Sequence, residues 1–154
     1  MIASFGALLQ KEEALVGTIM LMADVIGSRK YNQEYLAREL VKFRKHFSVN
    51  NKLRTYIKGK IIPKVGDEFQ CVCKDEASAI ELIFEIDRYF MCRETPIELR
   101  YEIAQGEFFG NENSAEWRLG DNLSRAHDSL HDKEKERNRV SLEFSNFKHK
   151  HTIE

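Results

Sequence analysis

Hydrophobic and polar positions follow two different periods along the chain and predict an alternating series of strands and helices. Residues 18–26, TIMLMADVI, form a continuous apolar run interrupted near its end by an acid, which predicts a strand buried on both faces. After Asn32, a candidate N-cap, apolar residues recur at helical spacing and predict a helix of about four turns: Leu36, Leu40, Phe43 and Phe47.

The second half of the pattern begins with the clearest hairpin in the chain. Two β-rich apolar runs lie between Arg54 and Lys74 and are broken by Pro63 and by the turn at Gly66-Asp67. The pattern then predicts a helix capped by Asp75, with the apolar stripe Ala79, Ile83, Ile86 and Phe90. A strand is predicted next, through Ile97, Leu99, Tyr101 and Ile103. A further helix, marked by Leu119, Leu123, Ala126 and Leu130, and a last strand at 140–144 complete the series.

This order of elements contains β-α-β-β-α-β and predicts an α+β, ferredoxin-like fold of the palm type. Its antiparallel sheet carries the helices packed on one face. The 154 residues, 42% of them hydrophobic, suit a single domain over 1–154, with 1–15 as an N-terminal helix or arm and 145–154 as a polar tail.

The net charge and the cysteines indicate which classes of partner and which cellular compartment to expect. With 24 basic and 25 acidic side chains the net charge is -1, so there is no strong nucleic-acid signal. The apolar run from Ala14 to Met22 is too short to span a bilayer, and no membrane partner is expected. The three cysteines Cys71, Cys73 and Cys92 fit buried free thiols of a reducing cytoplasm.

Two acids are brought together by the expected topology. Asp24 ends the first strand and Asp67 lies at the hairpin tip, so both fall on one edge of the sheet. Neighbouring carboxylates repel unless a divalent cation such as Mg²⁺ lies between them. Asp24 could instead cap a turn, and Asp67 could be ordinary hairpin chemistry. The two acids together with the turn at 27–30 favour a metal and phosphate site.

Four sequence blocks resemble, in order, the SatD family of bacterial proteins: ADVIGSRK at 23–30, VGDEFQ at 65–70, ELRYEIAQGE at 98–107 and GDNLSRA at 120–126. They cover most of residues 17–130 and are distantly similar to class III nucleotidyl cyclases and, through the letters GDEF, to diguanylate cyclases. The resemblance implies a palm that binds a nucleoside triphosphate with Mg²⁺ (or Mn²⁺), with Asp24 and Asp67 as the metal-binding and catalytic acids. It also leaves open a homodimer.

The resemblance assigns further roles and also marks departures. Glu68 would be a third metal ligand or would support the other two. Gly27, Ser28, Arg29, Lys64 and Arg125 would bind substrate, the first two where cyclases wrap the triphosphate. Ser124 and Asp128 stand where cyclases carry an Asn and an Arg, and neither replaces them. Arg125 also fits a solvent-exposed face that it shares with Asp121, Asp128 and Asp132.

Two functions follow and stay open at this stage. One is a metal-dependent nucleotidyl cyclase or nucleotidyltransferase. The other is a non-catalytic nucleotide- or protein-binding regulatory module of the same fold. In a third, weaker interpretation the site is vestigial and Glu68 forms a plain ion pair with Lys64 or Arg29.

Overall fold

The computed structural model describes residues 15–64, 66–113, 118–132 and 139–144. The predicted arm, except for Leu15, and the predicted tail lie outside these residues. The elements in chain order are β1 (Leu15–Val25), α1 (Gln33–Val49), α2 (Asn51–Arg54), β2 (Ile57–Pro63), β3 (Phe69–Cys73), α3 (Glu76–Met91), β4 (Leu99–Phe109), β5 (Arg118–Leu119), α4 (Asp121–Leu130) and β6 (Val140–Phe144).

The sheet has the ferredoxin-like order that the element pattern predicts. Its strands lie in the order β2-β3-β1-β4-β5, and β6 pairs with β4 outside this path. β1 is central and antiparallel to both β3 and β4, while β2 and β3 form the predicted hairpin. The α+β, palm-like fold class is therefore confirmed.

One face of the sheet is covered by α1 and α3. Alternate β1 residues, Ile19, Leu21, Ala23 and Val25, point into this layer, together with the free thiols Cys71 and Cys73. Opposite them pack the predicted stripes of the two helices, including Phe43 and Phe90, whose ring centroids are 4.9 Å apart. The predicted helix caps are confirmed as well, since the side chains of Asn32 and Asp75 accept hydrogen bonds from backbone N–H groups in the first turns of α1 and α3.

The placement of α4 corrects the expectation that the helices share one face. Leu123, Ala126 and Leu130 pack against Met20 and Met22 on the opposite face of the sheet. The physical reason is the composition of β1, because a strand that is apolar on both faces needs an apolar cover on each side. β6 also runs parallel to β4, so the sheet is mixed and not wholly antiparallel.

Two smaller features complete the fold. Leu119 lies in β5, and α4 begins at Asp121, so the predicted helical stripe starts one position too early. Cys92 is exposed, unlike the other two thiols. In the described part of the chain, none of the helices has both the length and the apolar character needed to cross a bilayer.

Candidate metal and phosphate site

Asp24 is fixed at the end of β1 by an ion pair with the neighbouring strand. The antiparallel register places Asp24 opposite Arg100 of β4, and their side chains share a face. Arg100 Nη2 lies 3.1 Å from Asp24 Oδ2, and both side chains are largely buried, with 15% and 12% of their areas exposed. A charge-assisted hydrogen bond in this setting orients the Asp24 carboxylate.

Asp67 lies at the tip of the β2–β3 hairpin, next to Asp24. Gly66 precedes it with a φ of 81°, a left-handed conformation that a glycine adopts without a steric penalty. Burial and the Asp24 carboxylate raise the pKa of Asp67, while contact with the Ser28 side chain partly offsets this shift. Its Oδ2 atom is buried and has no hydrogen-bond partner among the described residues.

These two carboxylates fit the oxygen-rich chemistry of a magnesium site. Buried carboxylate oxygens are normally paired, and an unpaired one beside a second carboxylate indicates a place for a cation or a proton. Mg²⁺ takes oxygen ligands and usually needs only one or two carboxylates from the protein. The structure thus brings together the pair that the sequence places at this edge.

The turn after β1 lies beside the two acids. Gly27 has a φ of 61° and accepts a hydrogen bond of 2.8 Å from the Lys30 N–H, closing a single 3₁₀ turn over Ser28–Lys30. Gln33 Nε2 donates to Ser28 O at 3.0 Å and ties this turn to the start of α1. Ser28 is half-buried towards Asp67, whereas Arg29 is exposed.

A cleft of about 250 Å³ opens between this turn, α1 and the hairpin tip. Polar groups of Ser28, Gln33 and Asp67 line one side of it, and apolar side chains of α1, including Leu36 and Leu40, line the other. A smaller cavity of about 160 Å³ also borders Gly66 and Asp67 on the α1 side. Asp67 therefore lines both spaces.

Lys64 and Arg125 are placed differently from each other. Lys64 is half-buried beside the hairpin tip, and its backbone N–H donates to Glu68 O at 2.8 Å. Burial lowers the pKa of Lys64, against the opposing effect of the Glu68 charge. Arg125 is exposed on α4 and donates to Asn122 Oδ1 at 3.2 Å, the placement expected for a solvated helix face.

The Glu68 side chain is engaged by two histidines that the sequence interpretation passed over. His127 Nε2 lies 2.9 Å from Glu68 Oε1, and His131 Nε2 lies 2.9 Å from Glu68 Oε2. Gln70 Nε2 also donates to Glu68 Oε1 at 3.0 Å. The available signal was the i,i+4 spacing of the histidines on a helix, which places both rings on one side.

Comparisons with known proteins agree with the fold. No protein-family model and no curated protein matches the chain. Solved structures similar to it include the dimeric guanylyl cyclase domain of the RhoGC fusion protein from the aquatic fungus Blastocladiella emersonii, at 15% identity over 77% of this chain and 75% of that one, with a TM-score of 0.56. The monomeric form of that domain gives 14% identity, 77% coverage of each chain and a TM-score of 0.57.

A bacterial structure shows the same likeness. The adenylyl cyclase CyaB from P. aeruginosa is 16% identical, with 77% of this chain and 74% of that chain covered and a TM-score of 0.52. The chain therefore has the palm-like α+β fold of nucleotidyl cyclase domains.

Proposed function

We propose that this chain is a SatD-like, nucleotidyl cyclase-like palm domain that binds a nucleoside triphosphate together with Mg²⁺ (or Mn²⁺) in the cytoplasm. The observation that carries the proposal is the Asp24–Asp67 pair, in which Asp67 has a buried and unpartnered carboxylate oxygen and lines a cleft. The likeness to guanylyl and adenylyl cyclase domains supports the same class of ligand.

The metal would be held by Asp24 and Asp67. Asp24 Oδ2 contacts Arg100, and Asp67 would offer its unpartnered Oδ2 to the ion. When bound there, the ion would supply charge neutralisation of the triphosphate and a lower pKa for an attacking hydroxyl. Glu68 is left outside this ligand pair because both of its oxygens contact the histidines of α4.

The surrounding residues would orient the phosphates. Gly27 lets the backbone approach them closely, and the half-buried Ser28 offers a hydroxyl beside Asp67. Arg29 on the turn and Lys64 beside the hairpin tip would supply positive charge, and the lowered pKa of Lys64 is expected to rise when an anion binds. Arg125 is exposed and would reach a triphosphate only across a homodimer interface.

A second candidate function, a non-catalytic nucleotide- or protein-binding regulatory module, has one observation in its favour. Ser124 and Asp128 occupy the positions where cyclases carry an Asn and an Arg. Ser124 Oγ donates to Leu119 O at 3.4 Å, and the Asp128 side chain is 85% exposed. Neither group offers positive charge to a transition state, so binding without turnover is the expected outcome if no second subunit supplies it.

Calorimetric titration of the full chain with non-hydrolysable ATP and GTP analogues, with and without Mg²⁺, tests the proposal. We expect magnesium-dependent binding that disappears in Asp24→Asn and in Asp67→Asn. The matched control is Glu81→Gln, which removes one negative charge from an exposed position of α3. Absence of binding in the wild type, or binding in the two Asp variants as tight as in the wild type, would refute the proposal.

The two functions are then separated by turnover. Incubation with ATP or GTP and Mg²⁺, followed by chromatography of the nucleotides, detects cyclic or linear products. Product that requires Asp24 establishes the enzyme, and binding without product establishes the regulatory module.

A further inference from the structure

Glu68, His127 and His131 form a compact three-residue cluster on the α4 side of the sheet. One donor atom from each residue lies within 4.8 Å of the other two, and the two imidazole ring centroids are 4.9 Å apart. The Glu68 side chain is 7% exposed, whereas those of His127 and His131 are 34% and 45% exposed. The cluster therefore has a buried carboxylate at its base and an opening towards solvent.

Both sides of the cluster are fixed by the fold. The buried stripe of α4, which includes Ala126 and Leu130, packs onto the sheet and directs the adjacent histidines at the hairpin. On the hairpin side, the fully buried Gln70 holds Glu68 Oε1. The ligand atoms are thus positioned before any ion arrives, as a metal site requires.

The residue types distinguish this cluster from the Asp24–Asp67 pair. Two imidazoles and one carboxylate are a ligand set of zinc sites, in which three protein ligands leave a fourth position open to water. Mg²⁺ prefers an all-oxygen environment. The histidine pair at i,i+4 on one helix, facing a carboxylate from another element, matches the spacing used for zinc on helices.

The distances are close to those that a bound ion needs. Zn–N and Zn–O bonds of about 2.0–2.1 Å at tetrahedral angles place ligand atoms roughly 3.3 Å apart. Each histidine Nε2 atom lies 2.9 Å from a Glu68 oxygen. The histidines therefore need to move away from Glu68 by only a few tenths of an ångström for an ion to replace the protons that they share with it. His127 Nδ1 lies 3.8 Å from Asp128 Oδ1, so a proton on Nδ1 would face a negative charge once the ion takes the place of the Nε2 proton.

We propose that Glu68, His127 and His131 bind one Zn²⁺ ion that joins the β2–β3 hairpin to α4. The fourth position faces solvent between the two histidines. Because Glu68 follows Asp67 directly, the ion fixes the hairpin tip on which Asp67 lies. The proposal uses no ligand of the Asp24–Asp67 pair and does not depend on nucleotide binding.

Calorimetric titration of the metal-stripped full chain with Zn²⁺ measures the stoichiometry and the affinity of zinc binding. Co²⁺ absorption in the visible range reports coordination, since tetrahedral nitrogen and oxygen ligands give intense d–d bands. We expect one equivalent of Zn²⁺ to bind to the wild type and to raise its Tm. His127→Ala, His131→Ala and Glu68→Gln should each weaken binding about tenfold or more, because loss of even a supporting contact costs 10- to 100-fold.

Matched controls make the result specific. His46→Ala removes an exposed histidine from α1, and a His149→Ala/His151→Ala variant removes the histidines near the C-terminal end of the sequence. Both variants should bind Zn²⁺ as the wild type does. Asp24→Asn should also retain zinc while losing magnesium-dependent nucleotide binding, so that failure of one site is distinguishable from failure of the other.

The proposal is overturned by either of two results. One is the absence of stoichiometric Zn²⁺ binding to the wild type. The other is unchanged affinity in both His127→Ala and His131→Ala, which would leave the cluster as a set of hydrogen bonds. Circular dichroism of each variant verifies that it is folded before its affinity is compared.

Discussion

Gly106 of β4 lies in close contact with α4, and its replacement by alanine tests how α4 is held. A Cβ atom added at Gly106 would lie 2.9 Å from Leu123 Cγ and 3.2 Å from Asn122 Cβ. Ordinary van der Waals contact begins at 3.4 Å. The helix would therefore have to withdraw by about 0.5 Å or more, or Leu123 would have to leave its rotamer.

The expected cost follows from overpacking of a buried contact. Leu123 is fully buried and packs in the layer with Met20, Met22 and Phe108, so it has little room to move. Overpacking of this kind costs about 1–3 kcal/mol. For a chain of this size, each kcal/mol corresponds to a Tm decrease of about 2–4 °C.

Urea denaturation followed by far-UV circular dichroism measures this cost, and a double-mutant cycle assigns its cause. Leu123→Ala alone should cost about 2–5 kcal/mol because it leaves a cavity. In the double variant Gly106→Ala/Leu123→Ala the new methyl group occupies part of that cavity, so the combined cost should be smaller than the sum by about 1 kcal/mol or more. Additivity within about 0.5 kcal/mol would show that the two residues are not in contact and would refute the close approach of α4.

Three further changes test other parts of the structure. The pKa of Asp67 in the folded state is raised above its ordinary value of 3.8. The contribution of Asp67 to stability is therefore lost as the pH rises from the unfolded-state pKa through the folded-state pKa. Metal-free Asp67→Asn should therefore be more stable than the wild type at pH 7 in urea denaturation, and a less stable variant would contradict this sign. Tyr101→Phe removes the 2.8 Å hydrogen bond to Asp87, which keeps its ion pair with Arg139, and should cost about 1–2 kcal/mol in the same assay, whereas unchanged stability would argue against the bond. Asn32→Ala removes the N-cap of α1 and should lower the free energy of unfolding by about 1 kcal/mol, while Asn32→Ser should largely preserve it; equal losses in both variants would exclude a capping role.

Much of the fold could be predicted from local pattern alone. The apolar run of β1 determines a strand buried on both faces, and the stripes of α1 and α3 determine the side on which each helix is buried. Asp24 at the end of β1 and Asp67 at a glycine turn follow from position in the sequence, once the β-α-β-β-α-β order fixes which strands are neighbours. These features depend on contacts between nearby residues or on a topology with few alternatives.

The tertiary structure decided which groups meet across elements. A helical stripe specifies a buried side but not the face of the sheet that it covers, so the side on which α4 packs and the parallel direction of β6 could not be derived from their own residues. For the same reason the partner of Asp24 is known only from the register that sets Arg100 opposite it.

Glu68 shows this limit most clearly. Its neighbours in sequence associate it with the Asp67 turn, but alternation along the extended chain turns its side chain towards α4, where His127 and His131 face it. The sequence determined the spacing of the two histidines. Only the packing of α4 on the sheet decided that a buried carboxylate would lie between them, because that contact joins residues about sixty positions apart.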